Sequence, residues 1–259
     1  MSGNQSITTT LLDDDTEIID LTWPLSASTP TIQLPPPKVS PPPFELHEIS
    51  RYDQRGEHEY HNYFIAPEHG GTHVDAPIHW FTGRDLDDIS TVPLNRLIGP
   101  AVVLDVSQAA ADDPDYLVTR ADVETFIEAH GPIPERAWFL LNTGWGQFYS
   151  DPARFLNRGV DGRPHWPGLT VDCARWLAQE TSLLGLGVDT IGTDAGISAA
   201  FEPAHPAHHY FHEAGKCGMS SVANLDRLPP IGATVVAAPV RILGGSAAPA
   251  RVFALVPAA

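Results

Sequence analysis

The chain has 259 residues, of which 42% are hydrophobic, and a formal net charge of −17 at pH 7. This length fits one large domain or two small ones, and the composition suffices for a sizeable core. The negative charge argues against nucleic acid and anionic membranes as partners, because both require clustered Lys and Arg. The apolar runs all fall short of the roughly 20 residues that span a bilayer.

Residues 1–17 are polar and then acidic, and they predict a disordered N-terminal tail. They lack the basic start and apolar stretch of a signal peptide, so we expect a cytoplasmic protein. In that compartment Cys173 and Cys217 are expected to be free thiols. Residues 18–259 are expected to form a single domain.

Short strand-like segments begin directly after the tail. Ile18 to Leu21 predicts a first strand. Residues 35–43 are rich in proline and predict an extended arm, which is either a rigid connector or a segment that wraps a partner subunit or covers a site. His58 to Ile65 alternates aromatic and polar residues as a half-buried strand does.

One short segment that follows concentrates residues able to bind a metal ion. His69 and His73 flank a Gly-Gly-Thr turn, Asp75 comes next, and His79 lies four residues further on. Imidazole and carboxylate donors in this mixture suit zinc, manganese or iron(II). In a strand, His73, Asp75 and His79 would share one face. Pro77 predicts a bend that sets His79 apart, as suits a proton carrier rather than a fourth ligand.

The second half of the chain alternates strands with helices. Thr119 and Asp122 resemble a capping box at the start of one helix, and Thr170 is a plausible N-cap of another. Further strands are predicted at 101–106, 137–141, 184–188, 233–237 and 251–256. Because strands outnumber helices, an α/β domain around a curved, mixed sheet fits better than a doubly wound parallel one.

A second group of histidines lies far along the chain, at His205, His208, His209 and His212. On a helix, His208 would stack on His212 and His205 on His209, since each pair is four residues apart. The group lacks the glutamate of a His-Glu-x-x-His motif, and we expect one of its members to be a site residue.

The first histidine segment, His-Gly-Gly-Thr-His-Val-Asp-Ala-Pro-Ile-His-Trp, resembles the signature of the cyclase-like metal-dependent hydrolases. That family includes kynurenine formamidases and isatin hydrolases, and residues 161–168 look closer to the isatin hydrolase branch. The resemblance extends through residues 19–22, 141–145, 167–169, 187–190, 222–228 and 244–251. It implies a swivelling β/β/α domain that associates as a homodimer or homotetramer and acts on a small-molecule substrate.

The resemblance also assigns roles within the first segment. It implies that His69, His73 and Asp75 bind the metal and that His79 is the catalytic acid/base. We therefore expect hydrolysis of an amide, lactam or lactone by metal-activated water, with His79 carrying the proton. Aromatic residues that would wall the substrate pocket, unless they serve only as core, are Phe64, Trp80 and Phe81.

Further along the chain the resemblance is incomplete. His208 matches a later family histidine, but Ser220 stands where the family has a glutamate that bridges two metal ions. Because serine cannot bridge two cations, we expect a single divalent ion, Mn²⁺ or Zn²⁺. Ser220 or Ser221 would then bond to its water, and His208 would be an additional ligand or support one. The segment Thr31–Leu34 lacks the tryptophan that formamidases carry, which argues against N-formylkynurenine as the substrate.

Two other functions remain open at this point. The loss of the bridging carboxylate is compatible with a biosynthetic cyclase, dehydratase or isomerase that uses His79 as acid/base with little or no role for a metal. It is also compatible with a binding protein that kept the scaffold and lost turnover.

Overall fold

The computed structural model describes residues 16–34 and 36–257. Its strands are β1 (Thr16–Asp20), β2 (Glu45–Asp53), β3 (Gly56–Ile65), β4 (His73–Asp75), β5 (Ile98–Asp105), β6 (Leu117–Val118), β7 (Trp138–Asn142), β8 (Gly168–Leu169), β9 (Gly185–Val188), β10 (Cys217–Ser220), β11 (Ile231–Pro239) and β12 (Ala247–Pro257). Its α-helices are α1 (Ser107–Asp112), α2 (Arg120–His130), α3 (Pro152–Leu156), α4 (Val171–Glu180) and α5 (Pro206–Glu213). Short 3-10 helices cover Pro77–His79, Phe81–Gly83, Leu94–Arg96, Trp145–Phe148, Gly196–Ala200 and Leu225–Arg227.

Eight strands form one mixed sheet in the order β1-β12-β11-β5-β7-β9-β10-β4. The strands β5, β7, β9 and β10 run parallel, and the other pairs are antiparallel. Because β4 pairs with both β10 and β12, seven of these strands close into a barrel-like sheet. The predicted α/β fold with a curved mixed sheet is confirmed.

The central parallel strands bury side chains on both faces, as expected when helices cover a sheet. In β7, Trp138 and Leu140 point into the barrel and belong to one core cluster. Phe139 and Leu141 alternate with them and pack against helices α2, α4 and α5 in a second cluster. This double burial explains why the sequence shows a continuous apolar run rather than alternation.

Helices α2 and α4 begin where their sequences predict. The Thr119 side chain accepts a hydrogen bond from the Asp122 N–H, and the Asp122 carboxylate accepts one from the Thr119 N–H, which completes the capping box. Thr170 caps α4 by accepting a hydrogen bond from the Cys173 N–H. Both caps satisfy backbone donors that a helix start leaves without partners.

Strand β1 starts earlier than the sequence predicts. Thr16 and Glu17, which were assigned to the tail, pair with Pro257 and Val256 of β12. Glu17 is also ion-paired with Arg227. These contacts order two residues whose polar character alone suggested a tail, and residues 1–15 lie outside the described part of the chain.

The residues just before the proline-rich arm contact other parts of the same chain. The Arg158 guanidinium donates a hydrogen bond to the Gln33 carbonyl, and the Leu34 N–H donates one to Ser40 Oγ at 3.0 Å. Ile32 packs on a small aromatic core cluster just before the arm. The arm's contact with a partner subunit stays a prediction.

Strands β2 and β3 form a separate two-stranded hairpin. The predicted strand at 58–65 is present, but most of its residues are exposed, so the expected half-burial is wrong within this chain. Its side chains pair with each other instead. His47 stacks on Tyr63 with ring centroids 4.7 Å apart, and Arg51 lies over the Tyr60 ring.

Cys173 and Cys217 are buried free thiols, as predicted. Among the helices within residues 16–34 and 36–257, none is long and apolar enough to cross a membrane.

Gly83 fixes how the segment that carries His79 packs against α5. A Cβ atom there would lie 2.1 Å from the Pro77 carbonyl oxygen and 2.9 Å from the His212 carbonyl oxygen. Both obstacles are backbone atoms, so they cannot rotate away. We predict that Gly83→Ala lowers the free energy of unfolding by about 1–3 kcal/mol, as overpacking usually does.

Urea unfolding measures this loss. Gly192→Ala is the matched control, because a Cβ at Gly192 meets nothing within 4 Å and its φ is not positive. The control should stay within about 0.5 kcal/mol of wild type. Equal stability of the two variants would contradict the packing constraint.

Candidate metal centre

The strand that closes the barrel also carries the first candidate ligands. In β4, His73 lies opposite Ser220 of β10 and Pro249 of β12, and Asp75 lies opposite Gly218 and Ala247. His73 and Asp75 are both buried. Their burial follows from pairing on both edges of a three-residue strand.

The turn before β4 requires glycine. Gly71 has a φ of +62°, where a side chain is strained, and a Cβ would lie 2.6 Å from Leu25 Cδ2. The next residue, Thr72, donates its hydroxyl hydrogen bond to the Ser221 carbonyl at 2.6 Å and accepts one from the Trp23 N–H. The turn is therefore held from both sides, and both His69 and His73 face the Asp75 carboxylate.

His79 lies within the histidine cluster. Its ring centroid is 4.1 Å from that of His69, 5.3 Å from that of His208 and 5.8 Å from that of His212. The predicted separation of His79 from the ligands is therefore wrong. Pro77 starts a 3-10 helix instead of bending a strand, and the tight turn brings His79 back over the cluster.

Helix α5 contains three of the four histidines of the second group and brings two of them to the same place. His208 and His212 stack one turn apart, with ring centroids 5.5 Å apart. His205 bonds Ser198 Oγ at 3.0 Å instead, and His209 packs edge-on against Phe81. The sequence predicted one site residue in this group, and the structure brings two into the cluster.

Asp75 lies at the centre of the assembled donors. Its carboxylate, His69 and His79 have ligand atoms within 4.8 Å of one another, and so do Asp75, His208 and His212. His73 Nε2 lies 3.3 Å from Asp75 Oδ1. Either group could hold a divalent cation, and both use the same carboxylate.

The hydrogen bonds on the far sides of two rings show which nitrogen faces inward. His73 Nδ1 lies 2.8 Å from the Gly71 carbonyl oxygen, and His212 Nδ1 lies 3.1 Å from the Lys216 carbonyl oxygen. A carbonyl only accepts, so each Nδ1 carries the proton. In the neutral ring Nε2 then presents a lone pair. His212 Nε2 is buried without a partner among the described residues.

This arrangement fits a cation. In His73 the lone pair faces a carboxylate oxygen 3.3 Å away, and two acceptors at that distance need a proton or a metal ion between them. Ligating histidines usually donate their second N–H to a carbonyl or a carboxylate. The donor set of imidazoles and one carboxylate suits Zn²⁺ or Mn²⁺.

The charges in the cluster are strongly coupled. Burial disfavours every ion here, yet the Asp75 carboxylate raises the pKa of His73, and His73 and His69 hold the pKa of Asp75 well below its usual range. Burial lowers the pKa of His79 to about 2 and that of His212 to about 4. His79 and His212 are therefore neutral at pH 7, and a metal ion would displace the proton that His73 shares with Asp75.

The two serines differ in their surroundings. Ser220 is fully buried on β10, and its hydroxyl has no partner among the described residues. Ser221 has a φ of +52°, and its carbonyl holds Thr72. Ser220 is thus the better placed of the two for bonding a water in the site, and that role stays a prediction.

The three aromatic residues assigned to a pocket wall lie in different places. The Trp80 ring centroid is 5.0 Å from that of His208, so Trp80 borders the cluster. Phe81 is 65% exposed beside Trp80. Phe64 is 60% exposed and stacks on Phe44, because β3 belongs to the separate hairpin. The assignment of Phe64 to the pocket wall stays a prediction.

Asp194 is a buried residue that no motif in the sequence marks as part of the site. Its carboxylate accepts hydrogen bonds from the Ala207 N–H at 2.6 Å, from the His208 N–H at 3.1 Å and from His208 Nδ1. It therefore caps α5 and turns His208 Nε2 toward Asp75. Asp194 precedes the helix by more than ten residues, so a local capping signal could not reveal it.

The chain is similar to known proteins over most of its length. A family model described as "Putative cyclase" matches residues 19–195. The chain is 41% identical over 252 residues to an isatin hydrolase of Roseibium aggregatum, covering 96% of this chain and 95% of that protein. It is 30% identical to a kynurenine formamidase of Salinibacter ruber, covering 71% of this chain and 74% of that protein. Among solved structures, isatin hydrolase A from Ralstonia solanacearum superposes with a TM-score of 0.94 at 41% identity, covering 99% of both chains.

The Asp194–His208 pair gives a pH-dependent stability. Burial works against both charges, but His208 lowers the pKa of Asp194 and Asp194 raises the pKa of His208. The lowered carboxyl pKa stabilises the fold above about pH 3.9 and is lost as pH falls below that. The raised imidazole pKa stabilises below about pH 6.5 and is lost as pH rises through the folded value.

We therefore predict that Asp194→Asn lowers the free energy of unfolding of the metal-free protein most between about pH 4 and 6.5. The loss there should be about 3–5 kcal/mol, because one buried charge is left alone. Denaturant titrations across pH measure it. Asp172→Asn, which breaks an exposed pair with Arg175, is the control and should cost less than about 1 kcal/mol at every pH. A loss for Asp194→Asn that does not vary with pH would refute the ion pair.

Proposed function

We propose that this chain, which belongs to the Cyclase family, is a metal-dependent hydrolase that cleaves the C–N bond of an amide or a lactam. The observation that carries the proposal is the convergence of imidazole nitrogens on the buried Asp75 carboxylate. Inward-facing lone pairs around a carboxylate are suited to a divalent cation and are costly without a cation or protons. The likeness to isatin hydrolase over nearly the whole chain supports the reaction class.

In this proposal His69, His73 and Asp75 hold one divalent ion, Mn²⁺ or Zn²⁺. When bound, such an ion lowers the pKa of a coordinated water and polarises the substrate carbonyl. Two observations support these ligands. His69 Nδ1 and His73 Nε2 lie 2.8 Å and 3.3 Å from Asp75 Oδ1, and the Gly71 turn fixes how the histidines approach.

His79 has the proton-transfer role in the proposed reaction. Burial keeps it neutral at pH 7, so a ring nitrogen offers its lone pair to a proton of the attacking water. Its low pKa makes it a weak base, and the nearby Asp75 carboxylate, which acts to raise that pKa, would favour the protonated ring during the transfer. It then returns that proton to the nitrogen that leaves the carbonyl carbon, which yields an amine and a carboxylic acid, and the acid becomes a carboxylate by losing the second proton of the water to solvent. Its ring lies 4.1 Å from that of His69, within reach of a water bound beside the ligands.

A cyclic amide is the favoured substrate. The chain matches isatin hydrolase over 96% of its length but the kynurenine formamidase over only 71%. Hydrolysis of a cyclic amide opens its ring, and the product then carries both the amine and the carboxylate in one molecule. Trp80, which packs against His208 and His205, would present a flat apolar surface to an aromatic lactam.

The hairpin of β2 and β3 supports the proposal of a homo-oligomer. An isolated two-stranded hairpin is marginally stable in water. Here large apolar residues are exposed along it, among them Leu46, Tyr52, Tyr63 and Phe64. A second copy of the chain would bury them, so the hairpin is a better candidate than the proline-rich arm for crossing a subunit boundary.

Metal analysis combined with His79→Ala tests the enzymatic proposal. Purified wild type should contain stoichiometric metal, lose hydrolysis of isatin with a chelator and regain it with Mn²⁺ or Zn²⁺. His79→Ala should keep the metal and lose about 10²-fold or more in kcat, because the proton carrier is gone. His73→Ala should lose the metal.

His165→Ala is the control, because His165 pairs with Asp115 and Asp161 outside the cluster. It should keep both metal and turnover. Activity that survives in metal-free protein would refute a metal-dependent hydrolase. Loss of metal from His79→Ala would make His79 a ligand instead of a proton carrier. Turnover of formamides but not lactams would refute the cyclic substrate, and turnover of lactones alone would refute cleavage of a C–N bond.

Light scattering tests the hairpin. Leu46 and Phe64 lie directly opposite each other, and we predict that Leu46→Glu with Phe64→Glu lowers the solution mass to that of a monomer. The physical reason is the cost of burying two charges in an apolar contact. Leu94→Glu, at a site that is 78% exposed outside the hairpin, should leave the mass unchanged. A wild-type monomer, or an unchanged mass in the double variant, would contradict the proposal.

A further inference from the structure

Each candidate ligand has one ring nitrogen that faces away from Asp75 and bonds to another group. In His69 that group is of a different chemical type from those of His73, His208 and His212. His69 Nε2 lies 3.0 Å from Ser246 Oγ, which comes from the turn just before β12, 177 residues away in the chain. His73 and His212 meet carbonyl oxygens there, and His208 meets a carboxylate. Those partners only accept, whereas a hydroxyl can either donate or accept. The Ser246 contact therefore does not by itself decide which His69 nitrogen carries the proton.

Glu68 removes this ambiguity. The Ser246 hydroxyl lies 2.7 Å from Glu68 Oε2, and the Ser246 N–H donates to the same oxygen at 3.1 Å. An ionised carboxylate has no proton to give, so the single hydroxyl proton goes to Glu68. Ser246 Oγ is then left as an acceptor for His69, and Nε2 must supply the N–H.

The proton on Nε2 determines what the other ring nitrogen, Nδ1, presents to Asp75. With its proton on Nε2, the His69 ring turns Nδ1 toward Asp75 Oδ1, 2.8 Å away, and two acceptors at that distance need a proton or a metal ion between them. A bound cation would fill that gap and take up the Nδ1 lone pair. A hydroxyl turned the other way would donate to Nε2 and place an N–H on Nδ1, where a metal ion has to bind. The Glu68–Ser246 pair selects the ligating tautomer.

We propose that Ser246 and Glu68 are positioning residues that hold His69 with its proton on Nε2 and its Nδ1 lone pair toward the metal. The proposal rests on the proposed function in one respect, the assignment of His69 as a ligand. The two residues touch neither the metal nor the substrate. They act through His69, in the way that groups behind a ligand orient and tune it.

The turn that carries Ser246 is built around this contact. The Gly244 N–H donates to Asp88 Oδ2 at 3.0 Å, and the Ile89 N–H donates to the Gly245 carbonyl at 2.9 Å. A Cβ on Gly245 would lie 3.0 Å from Glu68 Oε1, so glycine lets the turn approach the carboxylate closely. The hydroxyl is thus held where its proton can reach Glu68.

Zn²⁺ affinity, measured by competition calorimetry on the full chain, tests the proposal. Ser246→Ala should bind Zn²⁺ about 10–100-fold more weakly than wild type, the usual effect of removing a group behind a ligand. Ser246→Thr keeps the hydroxyl and should restore most of the affinity. Glu68→Gln keeps the shape but lets the amide donate to Ser246, so it should also weaken binding.

The matched control is Thr119→Ala. The Thr119 hydroxyl donates to a carboxylate, Asp122, at 2.7 Å, as Ser246 does to Glu68, but the pair belongs to the capping box at the start of α2. Its removal should leave Zn²⁺ affinity unchanged. An affinity loss of the same size in Thr119→Ala would mean that Ser246→Ala acts through general destabilisation, and it would overturn the proposal.

Nitrogen NMR of the histidines supplies a readout that a merely structural role would not move. In wild type, His69 Nε2, assigned with His69→Gln, should carry a proton in both Zn²⁺-loaded and metal-free protein. An unprotonated Nε2 in wild type, or equal Zn²⁺ affinity of Ser246→Ala and wild type, would overturn the proposal. A wild type that binds no Zn²⁺ would instead refute the proposed function, and the metal-free spectrum would still decide the His69 tautomer.

Discussion

The structure depends on one buried carboxylate placed on the strand that closes the barrel. Asp75 lies on β4, whose three residues pair with β10 on one side and β12 on the other. A buried carboxylate without partners is costly, and here its partners are histidines from the preceding turn, the following 3-10 helix and α5. The strand that closes the sheet therefore also carries the central carboxylate of the site. Groups that bond to the Asp75 carboxylate therefore also stabilise the pairing of β4 with β10 and β12.

The imidazoles around Asp75 are oriented from outside by groups that belong to different elements. A turn carbonyl holds His73, the carbonyl that follows α5 holds His212, and a carboxylate 14 residues before His208 holds that ring. Each of these bonds leaves a lone pair on the inner nitrogen. The site is preorganised for a cation because the tautomers are set by the fold and not by the cation itself.

The sequence predicts the local part of this arrangement and misses the rest for physical reasons. The spacing of His69, His73 and Asp75 reflects a tight turn and a strand, which are local. Helix α2 was predicted from its capping box for the same reason. Asp194 and Ser246 reach their histidines only through the closed sheet, and no spacing rule connects residues 177 positions apart. Pro77 is ambiguous in the sequence because proline suits both a strand break and a first helical position. The close approach of Gly83 to the Pro77 carbonyl, which accompanies the 3-10 helix, is a tertiary contact that the local sequence does not reveal.

The charge around Asp75 also bears on how many ions the proposed site holds. Asp75 is the common member of both candidate donor groups, and the imidazoles that complete them are neutral when they ligate. Two divalent ions would then share a single negative charge at short range, and their mutual repulsion in a buried site is severe. With Ser220 where a second carboxylate would bridge, one ion is the arrangement that this electrostatic balance favours. The buried lone pair of His212 and the Ser220 hydroxyl are then left to bond water rather than a second cation.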